Sequence, residues 1–308
     1  MSIRSRLSEG KSSGCQTSPM HGPAHRYAGD IVGRTRYTAG GDLRIAYELR
    51  GSAFTTRPTL LLIQGLGLDA SGWGTAIRHL QRRFRLVLID NRGIGRSAVG
   101  SVSVPAMVGD VCAVLDNIGI GAAHVLGASL GGIIAQDLAI RHPERVDKLV
   151  LACTTPGWPF AYPMPLTTVR LIAASRRLPR DVAARRHVEN ALSAITLEER
   201  PDLVEQILAR QESAAADQAT WHGQVTAGAS YVGGLRQRGI RARTLILHGG
   251  ADRVVDPRNA RLLAARIPHA RLVTFPGLGH LFFWEDPAGF ADVVTSFLLD
   301  DGEDVRRT

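Results

Sequence analysis

A serine set between glycines constrains the fold of this chain more than any other feature. An apolar run from Ala123 to Leu126 leads into Gly-Ala-Ser-Leu-Gly-Gly, which contains Ser129, and an apolar helical pattern begins at Leu130. The sequence predicts a strand, a sharp turn and a helix. A turn this tight holds its central residue in a strained left-handed conformation, and only minimal side chains fit two positions away on either side. We therefore expect the Ser129 hydroxyl to stand above the sheet edge, beside the backbone N–H of Leu130 at a helix N-terminus.

Composition limits the class of protein. The chain has 308 residues, and its 44% of hydrophobic residues is ample for a substantial core. No apolar run reaches the roughly 18 residues of a membrane helix, and the first residues lack the hydrophobic segment of a secretory signal. We expect a soluble protein with no membrane partner. Cys15, Cys112 and Cys153 are widely spaced, which favours neither disulfides nor a zinc site and is typical of the cytoplasm.

The net charge of +9 raises the question of nucleic-acid binding. Arginines are scattered singly or in pairs, acidic residues are interleaved with them, and lysine occurs only at Lys11 and Lys148. The aromatic residues lie in apolar runs and not among the basic ones. This pattern does not indicate a nucleic-acid-binding face, so we expect no nucleic acid as a partner.

Strand and helix patterns alternate along most of the chain. Residues 1–30 have no hydrophobic period and are predicted to be a disordered tail, and residues 301–308 a frayed end. Thr35 to Arg50 is typical of two antiparallel edge strands that turn at Gly40-Gly41. Buried strands are predicted at Thr59 to Ile63, Arg85 to Ile89, Ala123 to Leu126, Lys148 to Cys153, Thr244 to His248 and Arg271 to Phe275. With helices between them, residues 31–153 and 240–300 predict an α/β core with a mostly parallel, helix-covered sheet.

The alternation breaks between residues 154 and 239. A proline-rich aromatic loop from Pro156 to Pro165 is followed by helical patterns without a buried strand. These helices are predicted at Leu166 to Arg177, Asp181 to Ile195, Pro201 to Ala216 and Ala219 to Gln237. We interpret residues 154–239 as an inserted helical cap.

Ser129 needs a base, because a serine hydroxyl is a weak nucleophile near neutral pH, and the base needs a group that fixes its tautomer. In a parallel sheet, reactive groups collect at the carboxyl ends of the strands. His280 lies in the loop after the last strand and is the predicted base, while His248, which ends a strand, is the alternative. Asp252 follows that same strand and is the predicted acid, because Asp256 precedes a proline and is assigned to a helix start.

Two backbone N–H groups are predicted to stabilise an oxyanion that forms next to the serine. One belongs to Leu130 at the turn. The other belongs to Leu66, in the loop after the Thr59 to Ile63 strand, where Gly65 allows a close approach of the backbone. The loss of one such donor typically slows a reaction by roughly 10²- to 10³-fold.

With these residues in place, the chain resembles the α/β-hydrolase fold family. The turn from Gly127 to Gly131, the chain order Ser129, Asp252, His280 and the loop after the third strand match the family's pattern. Gln64 departs from it, since the family usually has a histidine there with a mainly structural role. The chain is similar to enol-lactonase-like and methylesterase-like members. This resemblance implies hydrolysis of a small or medium ester or lactone through an acyl-enzyme, with no metal or cofactor.

Large side chains of the cap are predicted to form an apolar roof over the substrate. They are Trp158, Phe160, Tyr162, Met164, Trp221 and Tyr231. Two other functions stay open at this point. The same three residues would serve C–C bond hydrolysis, cofactor-free perhydrolysis or a biosynthetic acyl transfer or cyclisation, and a receptor that kept them would bind a small molecule without turnover.

Overall fold

A computed structural model describes residues 34–38, 42–51, 56–175, 177–211 and 218–300. The predicted tails and the turn at Gly40-Gly41 lie outside these residues. Within them, eight strands form one sheet: β1 Thr35–Tyr37, β2 Ala46–Arg50, β3 Thr59–Ile63, β4 Arg85–Ile89, β5 Ala123–Ala128, β6 Val146–Ala152, β7 Arg243–Gly249 and β8 Arg271–Phe275. Their order in space is β1-β2-β4-β3-β5-β6-β7-β8, and only the pairings of β2 with β1 and β4 are antiparallel.

The helices of the described residues follow the predicted alternation. They are α1 Ala76–Leu80, α2 Val104–Asn117, α3 Leu130–Arg141, α4 Leu166–Ser175, α5 Arg180–Ala191, α6 Ala194–Glu199, α7 Asp202–Gln211, α8 Gln218–Ala229, α9 Arg258–Arg266, α10 Phe282–Glu285 and α11 Pro287–Leu299. Helices α4 to α8 all come between β6 and β7, in the segment interpreted as the cap. Among the described residues, no helix has both the length and the apolar character needed to cross a bilayer.

The central strands are buried on both faces, which explains their continuous apolar sequences. Successive residues of a strand point to opposite faces. Leu60 and Leu62 of β3 pack in the cluster that contains α1 and α11, while Leu61 and Ile63 pack in the cluster that contains α2 and α3. The prediction of a mostly parallel, helix-covered sheet is confirmed.

Two predicted cap helices have different bounds from those expected. The helix predicted to run from Ala219 to Gln237 ends at Ala229 and is followed by a 3₁₀ turn over Gly234–Gly239. Gly234 has a φ of +41°, which a helix does not allow. The helix predicted from Asp181 to Ile195 is two helices, because the Ser193 side chain accepts a hydrogen bond from the Thr196 N–H and starts α6.

Asp286 and Asp256 each accept a hydrogen bond at the start of a helix, as the proline after each of them predicts. Asp286 accepts a hydrogen bond from the Gly289 N–H at 2.9 Å, at the start of α11. Asp256 accepts one from the N–H of Arg258, the first residue of α9, also at 2.9 Å. Asp256 therefore serves the start of α9 near the surface. Asp252 is the buried carboxylate of this loop.

Candidate active site

Ser129 lies on the strained turn that its glycine neighbours predict. It connects β5 to α3 with a φ of 52° and a ψ of −116°, a conformation that non-glycine residues seldom adopt. A Cβ added at Gly127 would lie 2.2 Å from the Gly131 carbonyl oxygen, and one added at Gly131 would lie 2.1 Å from the Ile63 carbonyl oxygen. Both positions therefore require glycine, and close backbone packing against β3 holds the serine in place.

The loop after β3 lies directly against the serine. A Cβ added at Gly65 would be 3.1 Å from the Ser129 Cβ and 3.7 Å from its Oγ. Among the described residues, the backbone N–H groups of Leu66 and Leu130 have no hydrogen-bond acceptor. The two predicted oxyanion donors thus lie on the two segments next to the serine.

Gln64 stands where the family usually has histidine, and it holds the loop after β3 in place. Its side chain is buried, and its Oε1 accepts a hydrogen bond of 2.7 Å from the Gly65 N–H. Its carbonyl accepts another from the Asn91 side chain at 3.0 Å. Gln64 therefore shapes the backbone that precedes Leu66.

Asp252 and His280 meet through two interlocked loops. The Ala251 N–H donates to the Leu278 carbonyl at 2.8 Å, and a Cβ at Gly249 would lie 2.0 Å from the Gly279 carbonyl oxygen. This close packing brings His280 Nδ1 to 2.7 Å from Asp252 Oδ2. The predicted acid and base are in direct hydrogen-bond contact.

The opposite charges of Asp252 and His280 stabilise each other. Burial alone would lower the pKa of the His280 imidazole, but the negative charge of Asp252, with a further contribution from Cys153, holds it well above the ordinary 6.5. Burial alone would raise the pKa of the Asp252 carboxyl. The charge of His280, the nearby His248 ring and the hydrogen bond from His280 outweigh burial and hold that pKa far below its ordinary value. Asp252 is therefore ionised throughout the neutral pH range.

The end of β6 links the serine to the histidine. The Ser129 N–H donates to the Ala152 carbonyl at 2.9 Å, and the Thr154 hydroxyl donates to the Ser129 carbonyl at 2.7 Å. Cys153, between them, lies beside the His280 side chain and helps to raise its pKa. Ser129 and His280 therefore lie on either side of one short segment at the carboxyl edge of the sheet.

Helix α8 packs on the two segments that carry the predicted oxyanion donors. Gln224, which is fully buried, accepts a hydrogen bond from the Gly67 N–H at 3.0 Å. The Trp221 ring lies 3.3 Å from a Cβ added at Gly67, and the Leu130 side chain lies 3.3 Å from a Cβ added at Gly228. Positions 221, 224 and 228 share one face of the helix. Sequence reasoning missed Gln224, because a polar residue in a helical pattern gives no sign of its partner.

The side chains predicted to form the apolar roof lie in several different places. Trp158 is 65% exposed, and Phe160, Tyr162 and Met164 are also exposed. The Phe160 and Tyr162 rings lie against Arg266 and Arg258 of α9, at 4.6 and 4.0 Å from the guanidinium carbons. Tyr231 is buried in the core beside α3. Of the six, the structure brings Trp221 to the loop beside the serine.

A buried carboxylate joins the segment between α5 and α6 to the His280 loop. Glu285 Oε1 accepts a hydrogen bond from the Gly279 N–H at 2.6 Å, and its Oε2 accepts one from the Ser193 N–H at 3.1 Å. The Leu281 N–H donates to the Ala191 carbonyl at 3.0 Å. The residues on both sides of His280 are therefore held by the segment between α5 and α6.

The fold and this site define an α/β protein that presents a serine at the centre of a parallel sheet. The chain belongs to the alpha/beta hydrolase fold family, whose model matches residues 58–287. The family resemblance found in the sequence is confirmed.

The chain is also similar to proteins that are named as hydrolases and to a solved enol-lactonase structure. The 2-hydroxy-6-oxononadienedioate/2-hydroxy-6-oxononatrienedioate hydrolase of Burkholderia vietnamiensis is 31% identical over 272 residues, which cover 84% of this chain and 92% of the relative. The putative carbamate hydrolase RutD of Azorhizobium caulinodans is 29% identical over 273 residues, which cover 85% of this chain and 97% of the relative. The crystal structure of the enol-lactonase from Burkholderia xenovorans has a TM-score of 0.75 and 25% identity, over 85% and 99% of the two chains.

Proposed function

We propose that this protein is a serine hydrolase that cleaves a small or medium carboxylic ester or lactone through an acyl-enzyme. One observation carries the proposal. A strained serine shares the carboxyl edge of the sheet with a histidine that contacts a buried carboxylate at 2.7 Å, and the two backbone N–H groups beside the serine have no acceptor within the described part of the chain. Acyl transfer needs these three parts, namely a nucleophile, a base of fixed tautomer and an oxyanion site.

The proposed chemistry assigns a role to each group. Because His280 Nδ1 contacts Asp252, its Nε2 is the nitrogen that takes the proton from the Ser129 hydroxyl as the oxygen attacks the carbonyl carbon. The N–H groups of Leu66 and Leu130 hold the resulting oxyanion. His280 then protonates the leaving oxygen, and a water molecule activated by His280 releases the acid and restores the serine. General base action of this kind contributes roughly 10²- to 10⁴-fold to the rate.

The surroundings of the serine favour an apolar acyl group. Leu66, Leu130 and Trp221 lie at the two oxyanion segments. The name of the enol-lactonase neighbour supports lactones within this class. We further propose that the protein acts in the cytoplasm on a small-molecule substrate, with neither a nucleic acid nor a membrane as partner.

A second candidate is C–C bond hydrolysis with the same residues. It is favoured by the 31% identity to a hydrolase named for 2-hydroxy-6-oxo dienedioates and trienedioates. Such substrates carry two carboxylates, whereas the Leu66, Leu130 and Trp221 side chains at the two segments beside Ser129 are uncharged.

Turnover of two substrates tests the proposal. Ester hydrolysis predicts that p-nitrophenyl butyrate is cleaved with an initial burst of p-nitrophenol equal to the amount of enzyme, because the acyl-enzyme accumulates. A 2-hydroxy-6-oxo dienedioate should be cleaved far more slowly. Rapid cleavage of the dienedioate with negligible ester turnover would favour the second candidate, and tight binding of either compound without turnover would point to a receptor.

The activity should depend on pH through His280. Only the neutral imidazole accepts the serine proton, and the pKa of His280 is raised above 6.5. We therefore expect kcat/KM for p-nitrophenyl butyrate to rise with pH through a midpoint above 6.5, and to fall as His280 becomes protonated below that midpoint. Initial rates measured from about pH 5 to 9 give the midpoint for the free enzyme. A midpoint at or below 6.5 would contradict this description of the pair.

Gln224 should support the oxyanion loop from the cap. Gln224→Leu removes the acceptor of the Gly67 N–H, and we expect the free energy of unfolding to fall by about 1–3 kcal/mol. Since the loop binds the oxyanion and not the ground state, kcat should fall about tenfold with little change in KM. Gln206→Leu is the control, because the Gln206 amide bonds to Asp202 on the exposed surface of α7. Equal effects of the two substitutions would show that Gln224 does not support the loop.

A further inference from the structure

A second imidazole lies against the Asp252 carboxylate. His248, the next-to-last residue of β7, is 1% exposed, and its Nε2 is 3.0 Å from Asp252 Oδ2. The same oxygen is 2.7 Å from His280 Nδ1. One carboxylate oxygen therefore faces two histidine side chains, of which the proposed reaction uses one.

The surroundings fix the tautomer of His248. Its Nε2 also makes a hydrogen bond of 3.1 Å with the Val255 carbonyl. A carbonyl oxygen and an ionised carboxylate oxygen only accept, so Nε2 carries the hydrogen. His248 Nδ1 is buried and has no hydrogen-bond partner among the described residues, so a second proton would have no acceptor there. The N–H group is directed at Val255, and its positive end lies beside Asp252 Oδ2.

Hydrogen bonds hold both oxygens of the Asp252 carboxylate. Its Oδ1 accepts hydrogen bonds from the N–H groups of Val254 and Val255 at 2.7 and 2.9 Å. Val255 therefore donates to Asp252 through its N–H and accepts from His248 through its carbonyl. Both oxygens of the carboxylate are therefore held, and Val255 links one of them to His248.

We propose that His248 is a positioning residue of this site, whose Nε2–H group lies against the Asp252 carboxylate opposite His280 and limits how strongly Asp252 holds that imidazole. The inference rests on the proposed function, in which His280 is the base. A donor beside a carboxylate stabilises its negative charge, so the loss of the donor leaves more of that charge to stabilise protonated His280. Other titratable groups of the described residues also face the pair. Cys153 of the β6 end contacts His280, and Asp256 faces His248.

Nuclear magnetic resonance titration of the His280 Cε1–H proton tests the proposal in two variants of the full chain. His248→Phe keeps a ring but removes the donor, whereas His248→Gln keeps an N–H group at a similar reach. We expect the pKa of His280 to rise by about half a unit to one unit in the phenylalanine variant and to stay unchanged in the glutamine variant. The midpoint of the kcat/KM profile should move with it. No shift with phenylalanine, or the same shift in both variants, would overturn the proposal.

The titration also separates this inference from the proposed function. If the protein does not cleave p-nitrophenyl butyrate, the proposed reaction is contradicted. The titration of His280 would still show whether His248 affects the contact between Asp252 and His280. If the phenylalanine variant does not fold, His248→Asn replaces it, because its amide is too short to reach Asp252. In the unmodified protein at about pH 8, ¹⁵N shifts should show hydrogen on Nε2 of His248. Hydrogen on Nδ1 would overturn the proposal.

Discussion

Replacing Ser129 by alanine should lower kcat for p-nitrophenyl butyrate by on the order of 10⁵- to 10⁶-fold. The substitution removes the attacking oxygen and leaves the turn, the oxyanion donors and the His280 contact with Asp252 in place, so the protein should fold and bind substrate. Initial rates with purified enzyme measure the loss. Ser230→Ala is the matched control, because Ser230 lies exposed just after α8, and it should keep full activity.

The three proposed catalytic residues should act as one unit. His280→Ala should cost nearly as much as Ser129→Ala, and the double variant should be no slower than either single one. Additive losses would mean that the two side chains do not take part in the same step. A Ser129→Ala protein that kept about a tenth of the activity would show that another group is the nucleophile.

Replacing Gly131 by alanine should lower the free energy of unfolding by about 3 kcal/mol or more. The added Cβ would lie 2.1 Å from the Ile63 carbonyl oxygen, and a central buried strand cannot move away without disturbing the sheet. Urea unfolding, followed by circular dichroism, measures the change. The activity should fall as well, because the displacement reaches Ser129.

Gly109 supplies the control for this substitution. It lies inside α2, and a Cβ added there meets no atom within 4 Å. Gly109→Ala should therefore raise the free energy of unfolding by roughly 0.5–1 kcal/mol, since alanine is the better helix former. A Gly131→Ala protein as stable as the Gly109→Ala protein would show that the turn does not pack against β3 as described.

Features governed by local sequence were predictable. The buried strands β3, β4 and β5 begin at the residues that their apolar runs predict, because a strand covered on both faces needs a continuous apolar sequence. The left-handed conformation of Ser129 follows from its glycines. The contact of Asp252 with His280 was predictable because the carboxyl ends of β7 and β8 meet at one edge of the sheet.

Features governed by the packing of distant segments were not predictable. Gln224 meets Gly67 across 157 positions of the chain, and nothing in the sequence near either residue indicates the pair. The apolar character of Trp158 gives no sign that its side chain is exposed in the folded chain. His248 ends a buried run, which made it a weak candidate as a base, and only the folded loop shows its place beside Asp252.

The most direct test of the proposed function is to map a fluorophosphonate adduct by mass spectrometry. Such a reagent bonds to a serine oxygen that a neighbouring base activates. We expect one adduct, on Ser129, and almost none when His280 is replaced by alanine. An adduct on another residue, or equal labelling of Ser129 in the His280→Ala protein, would contradict the proposal that these two side chains act together.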